Sequence, residues 1–373
     1  MPVYDVPPDA LTVPPAALRD WVVALLVATG TPADIAADVA EVLVAADRRG
    51  IASHGTARLP DYLRLVDAGV LDPTARPVPE VERAALVRLD GRNGWGHHAA
   101  RLAMDRAIES ARTAGSALVV VRHTNHYGIA GWYALRAAHA GLIGLSLTNS
   151  SPLVAPTRAR TPLLGTNPIA IAAPAGRFGT FCLDMATSTI PRGRVEVAAR
   201  RGETLPVGWA IDAAGHPATT PEAALAGSLM PLGGEEANAG YKGYGLALMV
   251  EVLTGILGGA RSGPDILGLF STDGPSELGQ AVWAIDPAVL YGGIDGFEAR
   301  LELLCDQLAG APLAPDAPGR VLIPGEPEAE AERLAEVRGV ILDPRHHAAL
   351  VGLAERHGVP LPAVRPIDAG PGA

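Results

Sequence analysis

The sequence predicts a mixed α+β protein in which a helical N-terminal unit precedes a sheet with helices packed against it. Three observations carry that prediction. Ile35, Val39, Val42, Leu43 and Ala46 recur at helical spacing, as a core-facing stripe does. From Ala85 onward, short apolar runs alternate with helical stretches. Hydrophobic residues make up 48% of the 373-residue chain, enough to fill two or three packed domains.

In chain order, residues 15–30 and 31–49 read as two helices. Thr31 is the expected cap of the second, with Pro32 in its first position, Asp34 in its first turn and Gly50 at its end. There follow an apolar run at 85–89, a helix near 97–114, a run at 118–122, a helix near 129–140 and a run at 142–148. Residues 150–240 are dense in Gly, Pro, Thr and Asp, which predicts turns and functional loops. A helix is expected near 242–258. Beyond Gly263 the pattern weakens until helices near 328–336 and 345–357. No internal repeat is visible.

Forty acidic against thirty basic side chains give a net charge of -10, which repels polyphosphates and argues against nucleic acid as a partner. Cys182 and Cys305 lie far apart and outside any metal-ligand spacing, so neither a zinc site nor a disulfide framework is indicated, and no metal is expected. Residues 1–15 carry Asp5, Asp9 and several prolines, without the basic start and apolar stretch of a secretory signal. The longest apolar run, near 246–260, is broken by Glu251 and glycines and is too short for a bilayer. A cytoplasmic protein without membrane contact is expected.

Four clusters carry candidate chemistry. Ser53, His54, Arg58 and Tyr62 follow the second helix, and Arg58 and Tyr62 are spaced to share a helical face. A guanidinium clamps a carboxylate bidentately, and an imidazole exchanges protons near neutral pH. The same residues also suit a helix cap with a surface Arg and Tyr. Asn125, His126, Tyr127 and Gly128 lie between an apolar strand and a helix, where free N–H groups attract anions, although a solvated loop histidine looks the same. Leu164 to Pro168 and Leu183 to Ser188 offer small polar groups that turns also need. Gly240-Tyr241-Lys242-Gly243 opens a helix, placing Lys242 where a phosphate partner or a solvated lysine would sit. Gly94-Trp95-Gly96-His97-His98-Ala99 mimics a dinucleotide-binding fingerprint, but the next strand ends at Arg122-His123 without an acidic residue for a ribose, which argues against a Rossmann domain.

Together and in this order, the clusters resemble the malate/L-lactate dehydrogenase superfamily of non-Rossmann oxidoreductases. Its members include ureidoglycolate and sulfolactate dehydrogenases, 2,3-diketogulonate reductase and Δ1-piperideine-2-carboxylate reductase. The similarity runs from about Asp47 to Ala260, with weaker echoes in Ile285-Asp286-Pro287 and Ile323-Pro324-Gly325-Glu326. The resemblance implies a helical domain built from both chain ends (1–80 and 263–373), packed on a non-Rossmann NAD(P)-binding domain (81–262) with a largely antiparallel sheet. It also implies a homodimer that uses NAD or NADP on a small 2-oxo or 2-hydroxy carboxylate.

By this resemblance His54 is the proton donor, Ser53 its relay partner and Arg58 the carboxylate clamp, with Tyr62 and Thr166 beside the substrate. His126, Tyr127, Gly128, Ile129 and Ala130 form a cofactor and active-site loop, His126 being also catalytic. Asp184, Met185, Ala186, Lys242 and Gly243 approach the cofactor. Two departures stand out. Thr157-Arg158-Ala159-Arg160 replaces a Gly-Gly pair of many members, and the two cations either favour an anionic ligand or are simply solvated. At Arg194 relatives often have Lys and imine reductases an Asp; an arginine cannot accept a proton. A 2-hydroxy acid dehydrogenase is therefore expected, with a cyclic imine carboxylate reductase and a catalytically silent scaffold as the alternatives.

Overall fold

The structure, a computed structural model, describes residues 9–367. The expectation about residues 1–15 falls partly outside them. The described chain opens with β1 (Leu11–Val13), α1 (Pro15–Ala28), α2 (Ala33–Arg48) and α3 (Leu59–Asp67). It continues through β2 (Val78–Arg83), β3 (Leu86–Asp90), α4 (Gly96–Ala114), β4 (Ser116–Thr124), α5 (Ala130–His139) and β5 (Ile143–Thr148). Next come β6 (Ile169–Pro174), β7 (Thr180–Met185), α6 (Arg192–Arg201), β8 (Ala210–Ile211), α7 (Pro221–Ala226), β9 (Ser228–Leu229) and α8 (Gly240–Glu251). The remainder is β10 (Leu278–Ile285), α9 (Ala288–Tyr291), α10 (Asp295–Ala309), α11 (Glu326–Arg338), β11 (Val340–Leu342), α12 (Pro344–His357) and β12 (Arg365–Pro366).

The N-terminal stripe behaves as its spacing requires: Ile35, Val39, Val42, Leu43 and Ala46 are all fully buried. The cap differs. Pro32 holds the N-cap of α2, and the buried Thr31 hydroxyl has no partner among the described residues. Leu18, Trp21 and Leu25 of α1 join that core with Val340, Leu342 and Leu350 of the C-terminal segment. β1 pairs antiparallel with both β11 and β12.

The main sheet has the order β2-β3-β4-β10-β5-β6-β7. It is mixed rather than largely antiparallel, because β3 and β4 run parallel around the crossover helix α4. Strand alternation divides the faces. Val119 and Val121 pack under α4 and α5, while Val120 faces Val250 of α8. β10 lies between β4 and β5 although it comes from beyond residue 262, so that stretch contributes to the sheet as well as to the helical layer. The decoy glycines also find their explanation here. The start of α4 is buried, with His97 and His98 inside the protein, and a Cβ at Gly96 would overlap the Asn125 carbonyl oxygen. Gly96 serves close packing, and no N-terminal surface is left for a phosphate.

Candidate active site

The first cluster sits on two 3-10 turns, Ala52–His54 and Thr56–Arg58, hinged at Gly55. A Cβ at Gly55 would overlap the Asp47 carboxylate, so only glycine lets the turn close over the end of α2. Asp47 Oδ2 accepts the Thr56 N–H (2.9 Å) and the Thr56 hydroxyl (2.6 Å), and the same hydroxyl lies 2.9 Å from His346 Nε2 of α12. This buried bracing holds the turns that display Ser53 and His54.

Ser53 Oγ lies 2.9 Å from His54 Nδ1. Burial, followed by the charge of Arg58, pushes His54 down to about 4. Arg58 does not project from α3 as a free surface residue. Its Nε donates to the Ser53 carbonyl at 2.7 Å, Nη1 reaches Asp61 at 3.3 Å, and the guanidinium stacks 5.4 Å from the Phe270 ring centre. Nη2 has no partner among the described residues.

The loop between β4 and α5 brings His126 over His54, with ring centres 5.5 Å apart. Tyr62 is 1% exposed and its hydroxyl lies 2.6 Å from His126 Nδ1. Its polar group is therefore committed to His126, which does not fit the expected contact with substrate. Burial, reinforced by His54, His97 and Arg58, drives His126 well below the ordinary histidine value. Tyr127 turns into the core, where its hydroxyl lies 3.2 Å from Ser146 Oγ; its side chain is likewise committed to the fold. Gly128 adopts φ +75°, a turn that glycine makes without strain. Ile129 and Ala130 are buried where α5 begins.

A second group lies at the end of β7. Asp184 Oδ2 accepts the Gly131 N–H at 2.7 Å, joining this strand to the His126 loop. Asp184 reaches solvent, and desolvation by the protein around it pushes its carboxyl up to about 6 against the Gly131 bond. Met185 and Ala186 follow, half-buried. The Thr166 carbonyl accepts the Thr187 N–H (2.8 Å), and the Thr187 carbonyl accepts the Leu232 N–H (2.8 Å). A Cβ at Gly243 would overlap that Leu232 backbone, so these links carry Thr166, the β7 end and the start of α8 as one assembly. Lys242 is exposed, without an ion-pair partner among the described residues. No direct contact ties it to the His54 cluster.

Several contributors were not visible in the sequence reading. Phe270 caps Arg58, Tyr62 and His126 from a stretch without pattern. His97 is buried with both nitrogens unpartnered, 5.1 Å edge-on to Tyr62. Glu251 accepts from Asn167 and Asn149 and so fixes the loop that bears Thr166. Its one signal was a carboxylate interrupting an apolar run.

The malate/L-lactate dehydrogenase family model matches residues 13–351. The chain belongs to that family. A malate dehydrogenase of Pyrococcus abyssi is 49% identical over 251 residues, covering 66% of this chain and 68% of that protein. An L-sulfolactate dehydrogenase of Methanothermobacter thermautotrophicus is 36% identical over 330 residues, 88% of this chain and 92% of that one. A crystal structure of malate dehydrogenase from Entamoeba histolytica superposes with a TM-score of 0.90 at 32% identity, covering 95% of this chain and 100% of the other. Membership makes the chain an oxidoreductase that works with NAD or NADP on small hydroxy acids. Its donor set fits such a cofactor: an accessible carboxylate at Asp184 for hydroxyl or amide donors, and an unpaired ammonium at Lys242 beside the α8 N-terminus for phosphate.

Proposed function

We propose that this protein transfers a hydride between NAD(P)H and the α-carbon of a small 2-oxo or 2-hydroxy carboxylate of the malate, lactate and sulfolactate type. The convergence of Ser53, His54, Arg58 and His126 in one partly open cluster carries this reading. Arg58 takes the substrate carboxylate through its free edge, and Thr166 contacts the substrate from the opposite assembly. The loop 126–130, Asp184 to Ala186, Lys242 and Gly243 hold the cofactor, which supplies or accepts the hydride when bound. His54 moves the proton on the reacting oxygen, with Ser53 on its Nδ1. Held near 4, His54 meets a 2-hydroxy acid as a neutral base. A carboxylate on Arg58 offsets the neighbouring positive charge and raises the proton affinity of His54 for the reverse transfer.

Arg158 pairs with Glu236 at 2.9 Å on the surface, which favours a structural role over an anion site for that departure. Arg194 lies exposed, 5.0 Å from the Trp209 ring centre, and offers no proton relay for an imine. Among the described residues no helix is long and apolar enough to cross a membrane. We place the protein in the cytoplasm as a homodimer. Purified protein assayed with NADH and NADPH against oxaloacetate, pyruvate, longer 2-oxo acids and Δ1-piperideine-2-carboxylate tests the reading. Oxidation of cofactor by an oxo acid supports it, activity on the imine alone moves the protein to the other branch, and binding of neither cofactor removes every enzyme reading.

A further inference from the structure

His126 Nδ1 receives two groups at once. The Tyr62 hydroxyl lies 2.6 Å away, and the Gly128 N–H points at the same nitrogen from 3.4 Å. A backbone N–H only donates, so Nδ1 presents its lone pair, and the Tyr62 hydroxyl must donate as well. A neutral imidazole with a lone pair on Nδ1 carries its proton on Nε2. The phenol itself stays protonated, because burial raises its pKa. Its ring is fixed by edge contacts with Trp95, His97 and Phe270 at centre distances of 5.8, 5.1 and 5.8 Å. Nε2 has no partner among the described residues, and His126 as a residue is partly exposed.

We propose that Tyr62 is a positioning residue that fixes His126 as the Nε2–H tautomer, so that His126 offers a hydrogen-bond donor to the oxygen on the reacting carbon. This rests on the oxo-acid reading above and deepens it. A carbonyl oxygen accepts from such a donor and is polarised by it, while His54 handles the proton. A protonated cyclic imine brings its own N–H to the same place, donor against donor, so the pair selects for 2-oxo acids. The titratable and charged groups facing His126 are the neutral imidazoles of His54 and His97 and the Arg58 guanidinium, and the positive charge of Arg58 together with burial opposes a cationic ring.

The first test is long-range ¹H–¹⁵N spectroscopy of histidine-labelled wild-type protein near neutral pH, without substrate or cofactor, with His126→Gln supplying the assignment. The expected spectrum shows His126 neutral with its proton on Nε2; an Nδ1–H tautomer or an imidazolium overturns the proposal. Tyr62→Phe is expected to mix the tautomers and lower kcat on the oxo acid about 10-fold, with the KM of that substrate and NADH affinity nearly unchanged. Unchanged spectrum and kcat in that variant, or wild-type turnover of a cyclic imine at or above that of the oxo acid, overturn it too. The tautomer is read in unliganded protein, so an error in the substrate class leaves the spectral result standing, whereas the wrong tautomer sinks the inference whatever the substrate.

Discussion

Thr56→Val tests how the catalytic turns are held. The substitution keeps the branched shape but deletes a hydroxyl that donates to Asp47 at 2.6 Å and meets His346 at 2.9 Å. Asp47 Oδ1 already has no partner among the described residues, so the variant leaves this buried carboxylate with the Thr56 N–H as its one hydrogen bond among them. A buried hydrogen bond to a charged group contributes about 1.5–3 kcal/mol and a neutral one about 1, which sets the expected loss near 3 kcal/mol. For a chain of this size that lowers the melting temperature by roughly 4 °C.

The deficit has a pH signature. Burial raises Asp47, so the cost of its ionised form accumulates as pH rises from the unfolded value to the folded one and is level above that; below the unfolded value the carboxyl is neutral in both states. Thr56 donates to the ionised form, so the difference between variant and wild type widens with rising pH and narrows in acid. Urea unfolding at several pH values measures it, with Thr56→Ser, which keeps the hydroxyl, as the control. A loss under about 1 kcal/mol, or a deficit that is flat with pH, refutes the bracing role.

Three further outcomes are expected. His54→Ala lowers turnover about 100-fold or more while cofactor affinity, read by fluorescence titration, stays nearly constant; unchanged turnover removes His54 from the mechanism. Arg58→Lys keeps the charge but loses the planar fork, so kcat/KM for the oxo acid falls about 10- to 100-fold, mostly through KM; a loss confined to kcat argues against a clamp. Asp184, pushed up to about 6, changes from a neutral acid to an acceptor as pH rises through that value, so NAD(P)H binding tightens across it and Asp184→Asn abolishes the step. A pH dependence that survives in the variant assigns the step elsewhere.

Sequence by itself determined the elements whose signals are local. The stripe Ile35 to Ala46 dictates α2, the alternation of apolar runs and helices dictates β3 through β5, and the residue types at 53, 54, 58 and 126 mark candidates for chemistry, because periodicity and side-chain identity need no partner to be read. Tertiary structure decided what depends on distant pairing. β10 lies in the stretch beyond Gly263 where the sequence pattern weakens, and it becomes a strand of the main sheet by pairing with both β4 and β5. The mixed character of the sheet follows from the crossover through α4. Spacing puts Tyr62 on one helical face with Arg58, either at a site or at the surface; the fold buries it and points its hydroxyl at His126, 64 positions away. Thr56 meets His346 across 290 positions. Such contacts arise when packing brings separate segments together around a shared core, and no local pattern in either segment encodes the other.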